Sequence, residues 1–237
     1  MLPLKDLNRT HTTPHINRLL LIANILIFTV YWLSTQNIIF SSGLTNFFEN
    51  NFVMTPAEII NGQHLFTLVT SMFMHANWFH LLGNMLFLFV FGDNVEEVFG
   101  HGGYLAFYLI SGLAATSVHI LSILYAPAIT SLTGLAIQPN LAEGLIGASG
   151  AISGVLGAYL VLYPRAYILT IVLFVILPIP AIVFLGLWFV IQWLYIIFNV
   201  SSGVAYFAHV GGFITGMILA LTIGLNRKKA LKARYRL

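Results

Sequence analysis

Residues 147–163 read GASGAISGVLGAYLVLY, a run without a charged side chain that places a serine among small residues. Two of its glycines, Gly150 and Gly154, are four positions apart, and Gly212 and Gly216 repeat this spacing in a later apolar run. Small residues at this spacing let two membrane helices approach closely. The pattern therefore predicts two apolar helices that pack tightly together, the first of which carries the serine.

The whole chain has the composition of a membrane protein. Of its 237 residues, 59% are hydrophobic and 7% are charged, and the mean hydropathy is +0.91. Soluble domains contain about 25% charged residues, so a soluble domain is excluded. The chain has no cysteine, which excludes disulfides, thiolate nucleophiles and cysteine-bound metals. We find no cleavable signal peptide at the N-terminus and expect no domain beyond the membrane core.

Six apolar segments approach the length of about 20 residues that a helix needs to cross a bilayer. We therefore predict an all-α, polytopic membrane protein built as a bundle of six transmembrane helices. Residues 1–17 are predicted to be an N-terminal tail, 18–225 the membrane domain and 226–237 a basic C-terminal tail. The predicted spans are 18–36, 79–97, 103–125, 147–163, 181–198 and 205–225.

The stretch that leads into the fifth span has no simple assignment. Residues 166–198 are uncharged for 33 residues, which is too long for one span and too short for two. Pro178 and Pro180 interrupt any helix there. We predict that residues 166–180 form an interfacial or partly re-entrant segment, and a long, tilted and kinked helix is the alternative.

Basic residues predict the orientation in the membrane. Lys5, Arg9 and Arg18 precede the first span, and Arg165 lies between the fourth and fifth. The other basic residues form the tail: Arg227, Lys228, Lys229, Lys232, Arg234 and Arg236. Because basic flanks stay in the cytoplasm, both termini are predicted to be cytoplasmic. We expect the tail to contact anionic lipid head groups and not nucleic acid. The predicted outer loops, which contain no Lys or Arg, are 37–78, 126–146 and 199–204.

Four polar side chains share one predicted depth below the outer surface. Ser149, His80 and Asn84 lie in the first turns of spans that begin outside, and His209 lies about one turn into another such span. A serine hydroxyl becomes a nucleophile when a base, usually histidine, accepts its proton. When the serine attacks a carbonyl group, the carbonyl oxygen becomes an oxyanion, which side-chain N–H groups can stabilise. We predict Ser149 as the nucleophile and His209 as the base, with Asn84 and His80 at the oxyanion.

No acidic residue is predicted within a span near His209. A catalytic triad would need an acidic residue beside the histidine, and Glu143, six residues before Ser149, is the only contender. A Ser–His dyad is therefore favoured over a triad. A metal site at His75 and His80 is the other possibility, but their five-residue spacing suits one helix face poorly and no HExxH motif occurs. We therefore predict no metal. Two further histidines are predicted to lie away from this group: His101 and His119.

Three motifs of this chain resemble those of the rhomboid intramembrane serine proteases. HANWFHLLGN at 75–84 is similar to their HxxxxHxxxN signature, and GASG at 147–150 is similar to GxSG. His209, followed by two glycines, resembles the histidine motif of their last span, and the likeness covers about residues 60–225. The resemblance implies the roles given above for the four polar residues. It also implies that three residues shape the site: His75, Gly147 and Gly150.

The resemblance implies an endopeptidase that cleaves single-span membrane proteins at small residues, with no cofactor. The chain departs from the family at two places. Phe66-Thr67 stands where many members have Trp-Arg, and Ser153 stands where some have an aromatic residue stacked on the histidine. How the first outer loop is anchored, and what orients His209, are therefore open at this stage.

Two other function classes remain open from the sequence. One is a non-catalytic binding or quality-control protein on the same scaffold. The other is a channel or transporter in which His209 relays protons. We predict a prokaryotic plasma membrane as the location, because no organellar presequence is evident.

Overall fold

Helices make up most of the chain in the computed structural model, which describes residues 1–36, 38, 42–135, 137, 140–200 and 203–235. A 3₁₀ turn, Ser71–Phe73, follows the fourth helix, and a π-helical turn, Ala220–Gly224, joins the last two. The strands are β1 (Leu2–Asp6), β2 (Tyr167–Val172) and β3 (Val175–Pro180). The helices are α1 (His15–Thr35), α2 (Ser42–Phe52), α3 (Pro56–Ile60), α4 (Thr67–Thr70), α5 (Trp78–Phe99), α6 (His101–Leu124), α7 (Ala126–Thr133), α8 (Ser149–Leu162), α9 (Ala181–Ile197), α10 (Tyr206–Leu219) and α11 (Leu225–Tyr235).

A helix lies at each of the six segments that the sequence marks as apolar. Three helical segments of the described chain are long and apolar enough to cross a membrane: His15–Thr35, His101–Leu124 and Tyr206–Ala233. Helices α8 and α9 are apolar but shorter, with 14 and 17 residues. Helix α5 has 22 residues and ends in an acidic turn.

The all-α fold class, and the alternative of a long kinked helix at 166–180, are wrong in one part of the chain. The placement of this segment at the membrane interface stays a prediction. β2 and β3 form an antiparallel hairpin, and β1 pairs with β2 to give the sheet order β1-β2-β3. The turn residues Leu173 and Phe174 have φ angles of 47° and 70°, as a tight two-residue hairpin requires. β-Branched residues favour the strands, and the prolines exclude a helix. Residues 2–6 of the predicted N-terminal tail thus form a strand.

The acidic end of α5 holds the N-terminal segment in place. The Glu96 carboxylate accepts hydrogen bonds from the backbone N–H groups of Ile16, at 2.9 Å, and Asn17, at 2.7 Å. The Glu97 carboxylate accepts one from the N–H of Thr12, at 3.1 Å. The first N–H groups of a helix have no partner within it and favour a negative charge. Glu96 therefore acts as the cap of α1.

Asp6 makes the stability of this segment depend on pH. Its Oδ2 accepts hydrogen bonds from Asn94 Nδ2, at 2.7 Å, and from the Tyr159 hydroxyl, at 2.8 Å. Burial nevertheless raises the pKa of the Asp6 carboxyl from 3.8 to about 6. Between these two values the folded protein binds more protons than the unfolded chain. The contribution of Asp6 to stability is therefore fully present below about pH 4 and is lost as the pH rises through about 6.

We expect the Asp6→Asn variant to lose this part of the pH dependence, because an amide does not titrate. The measurement is the thermal unfolding temperature in detergent at about pH 4.5 and about pH 7.5, for both proteins. The wild type should lose more stability than the variant between the two conditions. Equal losses would show that the titration of Asp6 does not couple to folding.

Helix α11 continues α10 beyond the predicted span, so the described part of the predicted basic tail is helical. Arg236, the last of the predicted basic tail residues, lies outside the described residues. Arg227 donates to the carbonyl of Phe99, the last residue of α5, and Lys228 donates to that of Leu162, the last residue of α8. Cations stabilise the exposed carbonyls of helix ends. The basic helix thus closes the ends of α5 and α8.

The glycine spacing brings α8 and α10 into backbone contact, as the sequence predicts. A Cβ atom added at Gly212 would lie 2.1 Å from the carbonyl oxygen of Gly150. A Cβ added at Gly216 would lie 1.9 Å from the carbonyl oxygen of Gly154. Neither atom can give way, because both belong to the backbone of a buried helix. The distance between these helices is therefore set by the absence of side chains.

We expect Gly216→Ala to destabilise the protein by about 1–3 kcal/mol, since overpacking a rigid core costs this much. Gly186→Ala is the matched control, because a Cβ at Gly186 in α9 would meet nothing within 4 Å. Thermal unfolding in detergent measures both variants. The close packing would be refuted if Gly216→Ala unfolded at the temperature of Gly186→Ala.

Candidate active site

Ser149 is the first residue of α8, at the end of a constrained turn. Gly147 in this turn has a φ of 120°, a conformation that side-chain-bearing residues rarely adopt, and its N–H donates to the Ser71 carbonyl at 2.9 Å. A Cβ at Gly147 would lie 2.7 Å from His80 Nε2. Glycine is therefore required for the turn that presents Ser149 and for the close approach of His80.

His209 lies one turn into α10 and meets Ser149 directly. Its Nε2 is 2.9 Å from Ser149 Oγ, within hydrogen-bond distance. Both side chains are half-buried. The contact is possible because α8 and α10 pack through glycine, which brings a short serine side chain within reach of the imidazole. The structure thus brings together the two residues predicted as nucleophile and base.

The other ring nitrogen of His209 bonds to a residue that the sequence analysis missed. His209 Nδ1 is 2.9 Å from Oε1 of Gln192, which lies in α9 and is only 6% exposed. Gln192 Nε2 donates to the Trp188 carbonyl at 3.3 Å, which turns the amide oxygen towards His209. The signal in the sequence was a single glutamine in a segment of 33 uncharged residues.

Glu143, the only contender for an acidic third member, does not fill this position. Its side chain is exposed and accepts a hydrogen bond from Asn140 Nδ2 at 3.4 Å. The partner of the imidazole is therefore an amide and not a carboxylate.

Two aromatic rings flank His209, although the aromatic residue that the resemblance leads us to expect at position 153 is missing. The Trp188 ring centroid is 5.9 Å from that of His209 with an interplanar angle of 33°, and the Tyr206 ring is edge-on at 6.4 Å. Ser153, which stands at the expected aromatic position, bonds instead to the Ser149 carbonyl at 2.7 Å. The orientation of His209 thus comes from α9 and from its own helix.

His80 and Asn84 lie on the first turns of α5 and face the Ser149 turn. The side chain of Asn77 accepts a hydrogen bond from the His80 N–H at 2.9 Å and caps the helix. Asn84 Nδ2 is buried and has no hydrogen-bond partner in the described part of the chain. It lies 3.7 Å from the Cβ that Gly147 would carry. A donor left unpaired beside a serine fits an oxyanion site.

The remaining predicted site residues lie behind this group. His75 is fully buried, and its ring centroid is 5.0 Å from that of His80 in an edge-on arrangement. A Cβ at Gly150 would lie 2.7 Å from the Ala115 Cβ of α6. Both residues can therefore shape the site through packing. The described residues contain no group of three or more His, Cys, Asp or Glu side chains that could hold a metal.

The prediction that His119 lies away from the assembly is wrong. His119 lines the same cavity as Ser149 and His209, because α6 packs against both α8 and α10. His101 does lie apart, at the opposite end of α6, where its Nδ1 pairs with Glu96 Oε1 at 2.5 Å.

One cavity of about 1070 Å³ contains this group. Its walls come from α5, α6, α8, α9 and α10 and from the loops that precede α8 and α10. Both polar and apolar side chains line it, and the unpaired amide of Asn84 faces it. The volume is sufficient for a peptide segment together with water.

The loop before α5 is anchored to the turn before Ser149 through backbone hydrogen bonds. Met54 and Leu145 exchange two of them, at 3.1 and 2.7 Å, and the Ala57 N–H donates to the Leu141 carbonyl at 3.0 Å. Thr67, at the position where the resemblance leads us to expect arginine, is buried and donates to the His64 carbonyl at 2.7 Å. The loop is thus held to the active-site turn without a Trp-Arg pair.

Comparison with known proteins identifies the family. The sequence model described as the rhomboid domain matches residues 62–226. The chain is 32% identical over 169 residues to RHOMBOID-like protein 12, mitochondrial, of Arabidopsis thaliana, covering 70% of this chain and 48% of that protein. It is 30% identical over 181 residues to Rhomboid protein 1, mitochondrial, of Saccharomyces cerevisiae, covering 72% and 46%.

A bacterial relative carries an activity in its name. Rhomboid protease GluP of Bacillus subtilis is 31% identical over 169 residues, covering 70% of this chain and 28% of that protein. The matches to these three relatives cover less than half the length of each. The domain match covers well over half of this chain and includes all the site residues described above. The chain therefore belongs to the rhomboid family of polytopic membrane proteins.

Proposed function

We propose that this protein is an intramembrane serine endopeptidase that cleaves single-span membrane proteins. The observation that carries the proposal is the 2.9 Å contact between Ser149 Oγ and His209 Nε2. An ionisable residue within an apolar helix is functional by default, and a serine bonded to an imidazole is an activated nucleophile. The name of the Bacillus subtilis relative supports the same class of reaction.

We further propose six membrane spans, with both termini in the cytoplasm. The basic side chains lie at one end of the bundle, which favours this orientation. Helix α8 has 14 residues and is about 21 Å long, whereas the hydrocarbon core is about 30 Å thick. With Leu162 near the cytoplasmic face, Ser149 lies several ångströms below the outer surface. Water can reach it there through the cavity.

For location we propose the plasma membrane of a prokaryote.

The proposed orientation, with both termini in the cytoplasm, is tested in a bacterial host. A green fluorescent protein is fused after Leu237, since this reporter fluoresces in the cytoplasm and not in the periplasm. Fluorescent cells support a cytoplasmic C-terminus. Cells that contain the full-length fusion but do not fluoresce would place the C-terminus on the outer side.

The geometry supports a two-step mechanism. Ser149 Oγ attacks the peptide carbonyl carbon while His209 Nε2 takes the hydroxyl proton. The negative charge that develops on the carbonyl oxygen is met by Asn84, His80 and the N–H of Ser149 at the start of α8. His209 then gives its proton to the leaving amine, and the C–N bond breaks. Water hydrolyses the acyl-enzyme, with His209 taking its proton and returning one to Ser149.

We propose Gln192 as the positioning residue of this site. When Nε2 of His209 accepts the serine proton, Nδ1 must carry hydrogen, and the amide oxygen of Gln192 is placed to accept it. In a triad a carboxylate has this role and also stabilises the imidazolium. An amide fixes the tautomer and the ring orientation without adding a negative charge. A neutral partner also avoids the cost of a buried carboxylate inside a membrane helix.

The substrate must reach the cavity from the lipid and expose a peptide bond. Phe87 of α5 and Trp188 of α9 both line the cavity, so we propose access between these two helices. An α-helical substrate hides its carbonyls in internal hydrogen bonds, so a short segment must unwind before Ser149 can attack. Small residues at the cleavage point suit a site bounded by the glycine-rich start of α8.

We expect Asn84→Ala to lower kcat by roughly 10²- to 10³-fold, the usual effect of removing one oxyanion donor. KM should change little, because the amide is needed when charge develops on the carbonyl oxygen. Steady-state cleavage of a single-span substrate in detergent gives both constants. A thermal unfolding temperature close to that of the wild type checks that the fold survives. An unchanged kcat would remove Asn84 from the oxyanion site.

The proposed function is tested with the protein reconstituted in liposomes. It is incubated with a panel of single-span proteins, and products are identified by mass spectrometry. Cleavage within or just outside the span, on the outer side, supports the proposal. Intact substrates, together with no fluorophosphonate labelling of folded protein, would favour the alternative of a non-catalytic binding or quality-control protein.

A further inference from the structure

The hairpin β2–β3 exposes apolar side chains on every side of its outer strand. Leu173 and Phe174 at the turn are 88% and 100% exposed. In β3, residues 175–178 are exposed on both faces, and all of them are apolar. In β2, by contrast, Ile168 and Thr170 are fully buried against the protein. A strand that is apolar on both faces and at an edge is an aggregation site in water, so a non-aqueous contact is expected.

The outer edge of β3 also has few backbone N–H groups that could donate a hydrogen bond to water. Val172 pairs with Val175 next to a two-residue turn, which makes it a hydrogen-bonded pair. Pairs then alternate, so the nitrogens of Ile176, Pro178 and Pro180 point away from β2. Two of these three are prolines and have no N–H group. The outer edge therefore presents a single N–H, at Ile176.

This edge fits lipid better than a second polypeptide. Unsatisfied backbone N–H groups are costly in a bilayer, and prolines remove them. A partner strand needs those same N–H groups for pairing, so the prolines disfavour a sheet that continues into another copy of the chain.

The opposite edge of the sheet, β1, carries an exposed charge. Its Lys5 is exposed beside a half-exposed Leu2, whereas Asp6 is buried and bonded to Asn94 and Tyr159. The turn and the exposed part of β3, by contrast, carry apolar side chains alone.

The hairpin leaves the bundle at the end opposite to Ser149. Its base is joined to the helices by hydrogen bonds from the N–H of Ala181 to the Ala166 carbonyl, at 2.7 Å, and from that of Ile182 to the Pro164 carbonyl, at 3.0 Å. Tyr167 at this base is half exposed, as aromatic residues at a membrane boundary often are. Arg165 and the basic helix α11 lie at the same end and can attract anionic head groups.

We propose that residues 173–178 of the hairpin lie in the boundary between head groups and acyl chains on the basic side of the membrane, opposite to the active site. The occupant of this surface is the lipid bilayer. Because β3 runs directly into α9, the contact fixes the start of the helix that carries Gln192. This proposal goes beyond peptide cleavage and does not depend on it, since it concerns the placement of the hairpin alone.

The absence of cysteine makes a direct test simple. Single-cysteine variants Phe174→Cys and Lys5→Cys are spin-labelled and reconstituted into vesicles of phosphatidylethanolamine and phosphatidylglycerol. Power-saturation electron paramagnetic resonance compares collisions with oxygen, which concentrates in lipid, and with a nickel chelate, which stays in water. The chelate is present on both sides of the bilayer. Lys5 is the matched control, because it lies on the opposite edge of the same sheet.

The label at residue 174 should collide preferentially with oxygen, and the label at residue 5 with the nickel chelate. The same preference at Leu177→Cys would show that β3, and not only the turn, contacts lipid. Equal nickel access at residues 174 and 5 would place the hairpin in water and overturn the proposal. Dipolar broadening at 174 with low access for both reagents would show a second copy on this surface, which also overturns it. A thermal unfolding temperature close to that of the wild type confirms that each variant is folded.

Discussion

Ser149→Ala is expected to abolish peptide cleavage, with a fall in kcat of roughly 10⁴-fold or more, as for removal of the nucleophile in soluble serine proteases. The reason is that Ser149 Oγ is the only serine oxygen bonded to His209 in the described part of the chain. The fold should be retained, because the side chain is half-buried and alanine fits the same backbone. The measurement is cleavage of a single-span substrate in liposomes, with fluorophosphonate labelling as a second readout.

Ser153→Ala is the matched control for this result. Ser153 lies one turn later in the same helix, is buried, and donates to the Ser149 carbonyl at 2.7 Å. Its hydroxyl has no role in the proposed reaction, so labelling and cleavage should remain close to those of the wild type. If Ser149→Ala still cleaved the substrate, another nucleophile would be at work. If both variants lost activity equally, the effect would be structural.

Gln192→Leu is expected to lower kcat by roughly 10- to 100-fold, with a smaller change in KM. Leucine is similar in size to glutamine but cannot accept the hydrogen bond from His209 Nδ1. Without that bond the imidazole can take the wrong tautomer or turn away from Ser149. General-base catalysis contributes roughly 10²- to 10⁴-fold, and the variant loses only part of it because His209 itself remains. Val190→Leu, at a half-exposed position of the same helix, should leave kcat unchanged.

Gln192→Glu separates positioning from packing. The carboxylate can accept the same hydrogen bond, so activity should return at sufficiently high pH. Its charge favours the protonated imidazole, which cannot act as a base. The acidic limb of the kcat/KM profile should therefore move to higher pH than in the wild type. A purely structural role for Gln192 would lower activity in both variants without moving this limb, and that outcome would exclude it as the positioning residue.

The contact between Ser149 and His209 could be predicted because the proposed chemistry restricts the residue types. A serine in a turn of small residues and a histidine in an apolar helix are rare enough to be recognised, and the glycine spacing predicts that their helices meet. Asn84 and His80 follow from the same argument, since both lie on the first turns of a helix that begins at the same level. The approximate positions of the six apolar helices follow from the lengths of the apolar runs in the sequence.

Gln192 could not be predicted, because one glutamine in an apolar run has no motif. Its contact with His209 depends on how α9 crosses α10, which is decided by packing across the whole length of both helices. His119 was misplaced for a similar reason. Its position relative to the site depends on the rotation of α6 about its axis, and apolar composition carries little information on rotation.

The hairpin was missed because hydropathy does not distinguish a helix from a strand. Residues 167–180 are as apolar as the spans on either side, and only the prolines argue against a helix. β1 lies at the other end of the chain, and its pairing with β2 requires the N-terminal segment to be held at the end of α5. Glu96 and Glu97 hold it there.

The amino-acid sequence alone determined that this chain is a membrane protein, where its apolar helices lie, and which serine and histidine meet. The first two properties depend on local composition. The third depends on polar residue types that are rare inside apolar helices. The tertiary structure alone decided which group orients the histidine, which edge of the sheet is free, and that residues 2–6 pair with β2. These depend on distances between segments remote in the chain, and such distances are set by the packing of many side chains together.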